Sequence, residues 1–454
     1  MPKKKTALTI EERLQQALVP AEEQPYEVPE NWVWVRLGEV NKYVSKSVNP
    51  ISEPDKIFEL YSVPSMADDY PEIIAGSDIG SSKQSVCKED VLLCKINPRI
   101  NRVWKVSQFT DNELIASSEW IIIRNNHINA NYLMYCFQSK YFREFMLSNV
   151  SGVGGSLMRA QPKYVQTYPI PLPPLSEQQR IVESIEELFA KLDEAKERLQ
   201  EVADSFAVRK AAILHNAFTG ELTKQWRREN GVSDESWEEK KGEDFFEYVT
   251  SGSRGWAKYY SDKGSIFIRM GNLNHGTIEL DFSDIQYVEL PDQVEGQRSK
   301  LQKNDILISI TADVGMIALV REDMDAYINQ HVALARPKND LYAEFLAWYF
   351  VSDDGLQQMQ NKQRGATKIG LGLQDIRSII LKIPTLPEQH EIVRLIDDLL
   401  ARERAAQQAA EQALASIDLM KKSILARAFR GELGTNKASE ASALELLKQV
   451  LAEN

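Results

Sequence analysis

The sequence predicts an α+β fold with a pseudo-two-fold internal repeat, in which two similar α/β modules are separated by two long helices that pair as an antiparallel coiled coil. Three observations support this prediction. One segment occurs twice along the chain, both copies have the apolar spacing of a long helix, and the regions before them share landmarks in the same order. Each half of the repeat therefore consists of one module and one helix.

Composition sets the class of protein before any motif is considered. The chain has 454 residues, 43% hydrophobic and 26% charged, so it exceeds one ordinary domain and is not disordered as a whole. No run approaches about 18 apolar residues, and the basic start has no apolar stretch behind it, which predicts neither a membrane span nor a signal peptide. Three cysteines without metal-site spacing indicate a reduced compartment, and we expect a cytoplasmic protein.

The repeated segment covers residues 170–222 and 381–433 at a constant offset of 211, without a gap. Of its 53 aligned pairs, 19 are identical. Identities concentrate at the start, 173–182 and 384–393, and at the close. A match of this length is not expected by chance, so we interpret it as a duplication.

Each copy has the signals of one long helix. Ser176 and Thr385 begin patterns that match a capping box, and Gly220 and Gly431 are placed to end the helices. Apolar residues recur at alternating spacings of three and four, as in a coiled coil, with Lys196 and Lys210 interrupting the first copy. A helix of about 43 residues is roughly 65 Å long, and the obvious partner for its apolar stripe is the other copy. A plain coiled-coil spacer fits the periodicity equally well.

The modules before the helices share three landmarks. These are a Lys-x-Asp-(Val/Ile)-Leu element at 88–92 and 303–307, an aromatic-rich helix at 132–137 and 345–350, and a glycine-bearing loop. The predicted segments are an N-terminal extension 1–27, a first module 28–170, a first helix 171–223, a linker 224–240, a second module 241–381, a second helix 382–434 and a helical tail 435–454.

Motifs for catalysis are missing from the sequence. There is no Gly-x-x-x-x-Gly-Lys-(Ser/Thr) phosphate loop and no complete dinucleotide fingerprint. The five histidines are scattered, without the paired spacing of a zinc site. We therefore expect no catalytic residue, no metal site and no cofactor-binding site in this chain.

Basic residues with interspersed asparagines form short clusters in both modules. The net charge of −12 argues against a nucleic-acid partner, but local clusters can outweigh it. Lys and Arg neutralise phosphates, and Arg and Asn also read guanine and adenine edges. One cluster alone is more often solvated surface, whereas matching clusters in two modules favour DNA contact. The candidate DNA-binding residues are Lys95, Asn97, Arg99, Asn101, Arg102, Lys105, Arg159, Lys163, Arg254, Lys258, Arg269, Asn272, Asn274, Arg364 and Lys368.

Both ends of the repeated helix resemble those of the specificity subunit of type I restriction–modification enzymes. The similarity lies in the Pro-x-Leu-x-Glu-Gln…Ile-Val start, the Ala-Phe-x-Gly-Glu-Leu close and the exit at 220–227. This resemblance extends over nearly the whole chain. It implies two target recognition domains, each reading one half of a split, asymmetric DNA sequence, and a chain with no enzymatic activity of its own.

The resemblance also implies partners. These are double-stranded DNA, two modification subunits that methylate adenine N6 with S-adenosylmethionine, and two restriction subunits that use ATP and Mg²⁺, so every cofactor would belong to a partner. The helices would set the spacer and dock the partner subunits. The candidate partner-binding residues are Glu177, Gln178, Ile181, Phe218, Glu388, Gln389, Ile392 and Phe429.

Two other function classes stay open on the residues alone. An autonomous DNA-modifying enzyme with unusual motifs would bind a cofactor by itself. A coiled-coil scaffold without DNA contact would fit the acidic balance, and its complexes would show no salt-dependent DNA binding.

Overall fold

The computed structural model describes residues 8–151, 158–291, 296–339, 341–364 and 370–452. They form two compact units. The first unit contains the chain up to residue 198 and from 413 onward, and the second contains 199–412. Within the described ranges, no helix is both long and apolar enough to span a bilayer.

The first module is a set of small sheets with helices after them. Its strands are β1 (Val33–Arg36), β2 (Ser47–Val48), β3 (Ile57–Tyr61), β4 (Glu72–Ala75), β5 (Lys83–Ser85), β6 (Val91–Cys94), β7 (Val103–Lys105), β8 (Glu113–Ala116), β9 (Trp120–Ile123), β10 (Val150–Ser151), β11 (Arg159–Ala160) and β12 (Pro169–Leu172). Its helices are α2 (Leu37–Val40), α3 (Ala130–Gln138), α4 (Lys140–Ser148) and α5 (Pro162–Val165), preceded by α1 (Ile10–Ala17). The sheets have the orders β2-β5-β8-β3-β4, β7-β6-β9, β10-β11 and β1-β12.

The second module follows the same plan. Its strands are β13 (Glu238–Lys241), β14 (Phe246–Ser251), β15 (Tyr260–Ser261), β16 (Ser265–Ile268), β17 (Tyr287–Val288), β18 (Ile306–Ser309), β19 (Ile317–Leu319), β20 (Ala326–Ile328), β21 (Val332–Pro337) and β22 (Ile380–Ile383). Its helices are α9 (Gly242–Phe245), α10 (Ala343–Val351), α11 (Asp353–Asn361) and α12 (Leu373–Arg377), preceded by α8 (Lys224–Asn230). The sheets have the orders β14-β21-β18-β19, β15-β17-β16-β20 and β13-β22.

Strand pairing shows that the modules share a topology. In the first, β3 pairs with β8 in parallel, and in the second, β16 pairs with β20 in parallel. The antiparallel set β7-β6-β9 corresponds to β19-β18-β21. Each module is closed by an antiparallel pair of its first and last strands, β1 with β12 and β13 with β22.

The shared Lys-x-Asp landmark is a turn locked by a buried carboxylate. Asp90 accepts from the Arg124 guanidinium at 2.7 and 2.6 Å, and Asp305 accepts from Arg336 at 2.7 and 2.9 Å. The residue before each aspartate, Glu89 or Asn304, has a φ of 72°. Because β6 and β18 begin at this turn, the lock fixes where each central strand starts.

The long helices differ from the prediction in one respect. The second copy is a single helix, α13 (Leu386–Ala428), of 43 residues. The first copy is interrupted at Ser205 between α6 (Leu175–Asp204) and α7 (Phe206–Phe218). The Ser205 hydroxyl and the Arg209 guanidinium both donate to the Val202 carbonyl, which disturbs the hydrogen-bond ladder there.

Helix starts and ends test the predicted capping signals. Gly220 and Gly431 follow the helices with φ of 81° and 74°, the left-handed conformation expected of a helix terminator. The predicted capping boxes are wrong: Ser176 lies inside the first turn of α6, and the Glu388 carboxylate is bound elsewhere.

Packing within each unit shows that the helices run antiparallel. In the first unit, Ile181 and Val182 near the start of α6 share a core with Ala428 and Phe429 at the end of the second copy. In the second unit, Leu214, Ala217 and Phe218 of α7 share a core with residues from the start of α13, namely Ile392, Val393, Ile396 and Leu400. In both units, the start of one repeated helix therefore packs against the end of the other.

Both ends of the described chain pack in the first unit. The C-terminal helix, α14 (Ala443–Ala452), buries Leu447 and Val450 in the same core as Ala17 of α1. The Arg13 guanidinium donates to the Leu451 carbonyl at 3.0 Å. Both terminal segments are thus tied to the first module.

Candidate nucleic-acid interface

Three loops meet at one end of the central strands in the first module. These are the turn that leaves β6, the turn that enters β9 and the β10–β11 hairpin. The Lys95 amide donates to the Glu119 carbonyl at 3.0 Å, and the Ala160 amide donates to the Lys95 carbonyl at 2.8 Å. Two residues on, Asn97 has a φ of 44°, so the chain turns sharply, and residues 99–101 after the turn are exposed.

The second module repeats both of these backbone bonds between its three loops. The Ile310 amide donates to the His331 carbonyl at 3.0 Å, and the Leu371 amide donates to the Ile310 carbonyl at 2.9 Å. Ala312, two residues on, has a φ of 61°. We call these three connected loops the loop triad of each module. Residues 152–157 and 365–369, which include Gly152, Gly154, Gly155 and Gly365 of the two predicted glycine-bearing segments, lie outside the described residues.

Charged groups line the loop triad of the first module. Arg159 forms an ion pair with Glu119 at 3.3 Å, and the Lys95 ammonium donates to the Ser118 carbonyl at 2.6 Å. The Asn97 Oδ1 is buried and has no hydrogen-bond partner among the described residues. The sequence-predicted residues Lys95, Asn97, Arg102 and Arg159 therefore lie together.

A cavity of about 510 Å³ opens beside this triad. Asn97, Arg102 and Glu119 line one part of it, and Lys83 and Ser62 line another. Lys83, Asn97 and Arg102 supply hydrogen-bond donors to this concave surface, and Glu119 supplies a carboxylate acceptor. Burial lowers the pKa of the Lys83 ammonium. Sequence reasoning missed Lys83 and Glu119, because neither stands in a basic run.

Thr311, Gln330 and His331 occupy the equivalent positions in the second module. The Thr311 hydroxyl lies 2.6 Å from His331 Nδ1, and Gln330 Nε2 lies 3.0 Å from His331 Nε2. His331 takes the place of Glu119. The His331 backbone amide donates to Asn329 Oδ1, and the Glu119 backbone amide donates to the Ser117 hydroxyl in the same way. The position of His331 in the triad follows from the backbone bond that its carbonyl accepts from Ile310, as the Glu119 carbonyl accepts from Lys95.

Four other predicted residues of the first module are dispersed. Arg99 and Asn101 are exposed on the loop after Asn97, where the Asn101 amide donates to the Gln138 carbonyl at 2.8 Å. Lys105 pairs with Glu89 at 3.6 Å at the far end of β7, and Lys163 lies on α5 over the Tyr164 ring. Lys105 is therefore separated from the triad by the length of the strand.

Predicted residues of the second module divide into exposed cations and turn-forming groups. Arg254 and Lys258 are exposed in the segment before β15, and Arg364 is 82% exposed although it pairs with Asp375 at 2.9 Å. Arg269 pairs with Asp284 at 2.7 Å. Lys368 lies outside the described residues.

Asn272 does not support a base contact. Its Oδ1 accepts from the Arg269 amide, and its Nδ2 donates to the carbonyls of Asp281 and Asp284. The side chain is 3% exposed and holds its own turn together, so we leave it out of the proposed interface. The neighbouring Asn274 is exposed, with its Nδ2 3.5 Å from Asp281 Oδ2.

The side chains at the two repeated helix starts bind groups of this chain rather than face solvent. Glu177 accepts from Trp32 Nε1 at 2.7 Å and Asn436 Nδ2 at 2.9 Å. Glu388 accepts from the Thr223 hydroxyl at 2.7 Å and Arg227 at 2.8 Å. In each unit the chain leaving one helix is thus bound to the start of the other.

The neighbouring glutamines have the same internal role. Gln178 accepts from the Asn129 backbone amide and donates to the Pro173 carbonyl. In the same way, Gln389 accepts from the Tyr342 backbone amide and donates to the Pro384 carbonyl. Ile181, Phe218, Ile392 and Phe429 are core residues. All eight predicted partner-binding side chains are at most 8% exposed, so this arrangement gives them no surface for a partner.

The described residues contain no candidate metal site. No group of three or more His, Cys, Asp or Glu side chains there is arranged to hold a metal ion. His275 lies 2.8 Å from Asp313, an exposed pair beside the β18–β19 turn. What the triads offer is hydrogen-bond donors and acceptors.

Comparison with known sequences identifies relatives. A family model described as the type I restriction modification DNA specificity domain matches residues 29–204 and 234–413. The type I restriction enzyme EcoBI specificity subunit of Escherichia coli is 30% identical over 306 residues, 63% of this chain and 64% of the relative. The EcoKI specificity subunit of Escherichia coli K12 is 27% identical over 345 residues, 72% of each chain. The matched stretch thus spans less than two thirds of the EcoBI subunit.

Solved structures have the same fold. The HsdS subunit from Thermoanaerobacter tengcongensis superposes with a TM-score of 0.69 at 22% identity, over 90% of this chain and 99% of that chain. A chain from a study of complex assembly and conformational transition of the type I R-M system gives 0.67 at 22% identity, over 90% and 100%. The predicted paired helices and duplicated modules agree with these neighbours. Since the family model matches most of the chain in two copies, the chain belongs to the type I restriction–modification DNA specificity family.

Proposed function

We propose that this chain supplies the DNA sequence specificity of a type I restriction–modification complex, with each module reading one half of a split target. The observation that carries the proposal is the loop triad. Two backbone bonds that join its loops are present in both modules, whereas Lys95, Glu119 and Arg159 in the first are replaced by Ile310, His331 and Gly370 in the second. Equal scaffolds with unequal side chains suit the reading of two different half-sites.

The side chains at the triads suit base recognition in the major groove. Asn pairs with adenine edges, Arg with guanine, and Glu accepts from the cytosine amino group, so Asn97, Arg102 and Glu119 provide distinct donors and acceptors. Exposed cations such as Arg99 and Arg364 suit phosphate contacts, which position the modules without reading sequence. The two modules are expected to read different bases because only the first has charged groups at all three loops.

The helices suit two tasks in this proposal. A helix of 43 residues is long enough to hold two readers about one DNA turn apart, roughly 34–36 Å. Exposed apolar side chains on the helices, Val208 at 70% and Leu419 at 65%, occupy equivalent positions in the repeat. They are better candidates than the buried helix starts for docking a modification subunit.

Catalysis belongs to the partners in this proposal. Two modification subunits would carry S-adenosylmethionine and methylate adenine N6, and two restriction subunits would use ATP and Mg²⁺. The target adenine must leave the base stack, which costs a few kcal/mol that the partner's pocket offsets. The chain itself would act in the cytoplasm as a non-catalytic reader.

Methylome sequencing tests the proposal. Cells that carry this chain with its modification partner should gain adenine methylation at one bipartite motif. Exchanging residues 28–170 for another module should change one half-site only, and exchanging 241–381 should change the other. A single continuous motif, or methylation that survives deletion of the chain, would contradict the proposal.

A further inference from the structure

Lys210 interrupts the apolar seam of the first helix, and the repeat explains what is unusual about it. Its equivalent in the other copy is Lys421, which pairs with Asp193 at 2.6 Å in the first unit. The residue equivalent to Asp193 is Arg404, which faces Lys210 in the second unit. An ion pair in one unit is therefore replaced by two cations in the other.

In the described residues the neighbouring acids do not pair with the two cations, and Asp397 interacts with Arg404 only at longer range. In the described residues, neither Lys210 nor Arg404 has a carboxylate oxygen within 4 Å, since no such ion pair is present for either. Burial and the neighbouring Arg404 charge lower the pKa of the Lys210 ammonium. Two neighbouring cations without an ion-pair partner repel each other, and a bound anion would relieve this repulsion.

The surroundings form a concave site rather than a flat surface. Lys210, Arg404 and the polar side chains of Thr277 and Gln408 line a cavity of about 360 Å³ between the helices and the second module. Gly276 belongs to its wall, where an added Cβ would lie 3.0 Å from the Lys210 Nζ. The close approach of backbone to ammonium keeps Lys210 directed into the cavity.

The carboxylate at the edge of this site is engaged elsewhere. Glu411 accepts from the Gln407 amide at 3.1 Å, one turn earlier on the same helix. It does not reach Lys210 or Arg404 within ion-pair distance in the described structure. The cavity therefore keeps an excess of positive charge.

We propose that the cavity between Lys210 and Arg404 binds a phosphate group. A planar guanidinium beside a flexible ammonium, with neutral hydroxyl and amide donors around them, suits the tetrahedral oxygens of a phosphate better than a single carboxylate. The phosphate belongs either to a free phosphate compound or to the DNA backbone. The second source rests on the proposed function, whereas the first does not.

The first experiment titrates the full chain with sodium pyrophosphate and records the melting temperature. Wild type is expected to be stabilised in proportion to occupancy, and Arg404→Asp, which recreates the lysine–aspartate pairing of the first unit, is expected to lose the response. Arg404→Asp should melt no lower than wild type without ligand, so a lost response is not a folding defect. The matched control Lys421→Met breaks the equivalent pair and should keep the response.

The second experiment measures DNA binding by the assembled complex as a function of salt. If the phosphate is a backbone phosphate, Arg404→Asp lowers the slope of log K against log[salt] by about 1, the share of one contact. A pyrophosphate response with an unchanged slope assigns the site to a free phosphate compound. If Arg404→Asp alters neither measurement, or if it alters only the assembly with the modification subunit, the proposal is wrong.

The two proposals fail in different ways. A wild-type complex without sequence-specific DNA binding would refute the proposed function, but the pyrophosphate titration of the chain alone would still decide the phosphate site. Conversely, an Arg404→Asp complex that methylates the normal motif leaves the proposed function intact.

Discussion

Glu177 in the first unit and Glu388 in the second lie at equivalent positions, and their partners show where the two copies have diverged. Glu177 accepts from neutral donors, including Trp32 Nε1, whereas Glu388 accepts from the buried Arg227. Trp237 is the counterpart of Trp32, yet neither its Nε1 nor Glu388 Oε2 has a hydrogen-bond partner among the described residues. The same junction is thus closed by neutral bonds in one unit and by an ion pair in the other.

The loop triads differ in a second way. At the helix junctions the side chains are similar and buried, whereas at the triads the backbone bonds are retained and the side chains change. Lys95 and Ile310 make the same main-chain bonds, although one is charged and the other apolar. At the triads the side chains have therefore diverged on a retained backbone, which is what a reader of variable sequence requires.

The largest expected effect separates the two junctions. Glu388→Met leaves Arg227 buried at 8% side-chain exposure without its main partner, and breaking such a pair costs about 3–5 kcal/mol. We expect the lower end of that range, because Arg227 keeps its bond to Asp234. Glu177→Met leaves only neutral groups unpaired, which costs about 1–3 kcal/mol.

Denaturant unfolding of the two variants measures this difference. Glu388→Met should lower the free energy of unfolding more than Glu177→Met. An equal loss in both variants would show that the charge of Arg227 is not what distinguishes the junctions.

The second prediction concerns the charged triad of the first module. Replacing Arg102 and Arg159 by alanine should weaken binding of the assembled complex to its target by about 100-fold, since each specific contact contributes about 1–3 kcal/mol. The matched control is Lys88→Ala, an exposed lysine at the opposite end of β6. Sequencing should show that the double variant methylates motifs altered in one half-site. The Lys88→Ala control should methylate the same motif as wild type. Loss of recognition at the other half-site would contradict the assignment.

The third prediction compares the two helix terminators. Gly431→Ala and Gly220→Ala both place a Cβ at positive φ, which costs about 1–2 kcal/mol. At Gly431 the new Cβ would also lie 2.4 Å from Pro29 Cγ, whereas at Gly220 it would lie 3.1 Å from Arg227 Nη1, which is a smaller overlap. Calorimetric melting should therefore show the larger loss for Gly431→Ala, and the reverse order would exclude crowding by Pro29 as the cause.

Much of the fold was accessible from the sequence because duplication doubles every signal. The helices, their antiparallel pairing and the order of landmarks followed from matched residues such as Gly220 and Gly431. The interruption at Ser205 was not accessible, because serine is tolerated in helices and the disturbance arises from the Arg209 side chain. The extent of burial of α10 was also not accessible. Eight of its nine residues are buried, whereas an amphipathic helix would bury one face only.

The candidate site was accessible only in part. Cationic residues such as Arg102 are visible in a sequence, and the structure places several of them at the triad. Neutral residues such as Thr311 are not visible, because their role depends on loops distant along the chain. Glu177 and Glu388 were assigned to partner binding because the resemblance implies that the helices dock partner subunits, and a sequence does not show that both carboxylates are bound inside the chain.

The smallest expected effect is the pH dependence of two ion pairs, one between a helix and the C-terminal tail and one within a single helix. Arg180 binds Glu440 of the C-terminal tail at 2.8 Å and holds the pKa of that carboxyl below its usual value. At the equivalent helix position, Glu391 instead pairs with Arg394 on its own helix, which also lowers its carboxyl pKa. A lowered pKa in the folded state means that each contact stabilises the protein above the unfolded pKa, about 4.3, and is lost as the pH falls through the folded pKa.

Glu440→Gln should therefore melt at a lower temperature than wild type at pH 7, and the two proteins should converge below about pH 4. Glu391→Gln should show the same direction with a smaller difference, since it removes only a contact within one helix turn. Melting curves from pH 3 to pH 7 measure both. If the difference for Glu440→Gln persists unchanged at pH 3, the ionised carboxylate is not what joins the tail to the helix start, and the first unit is held at this point by packing of α14 alone.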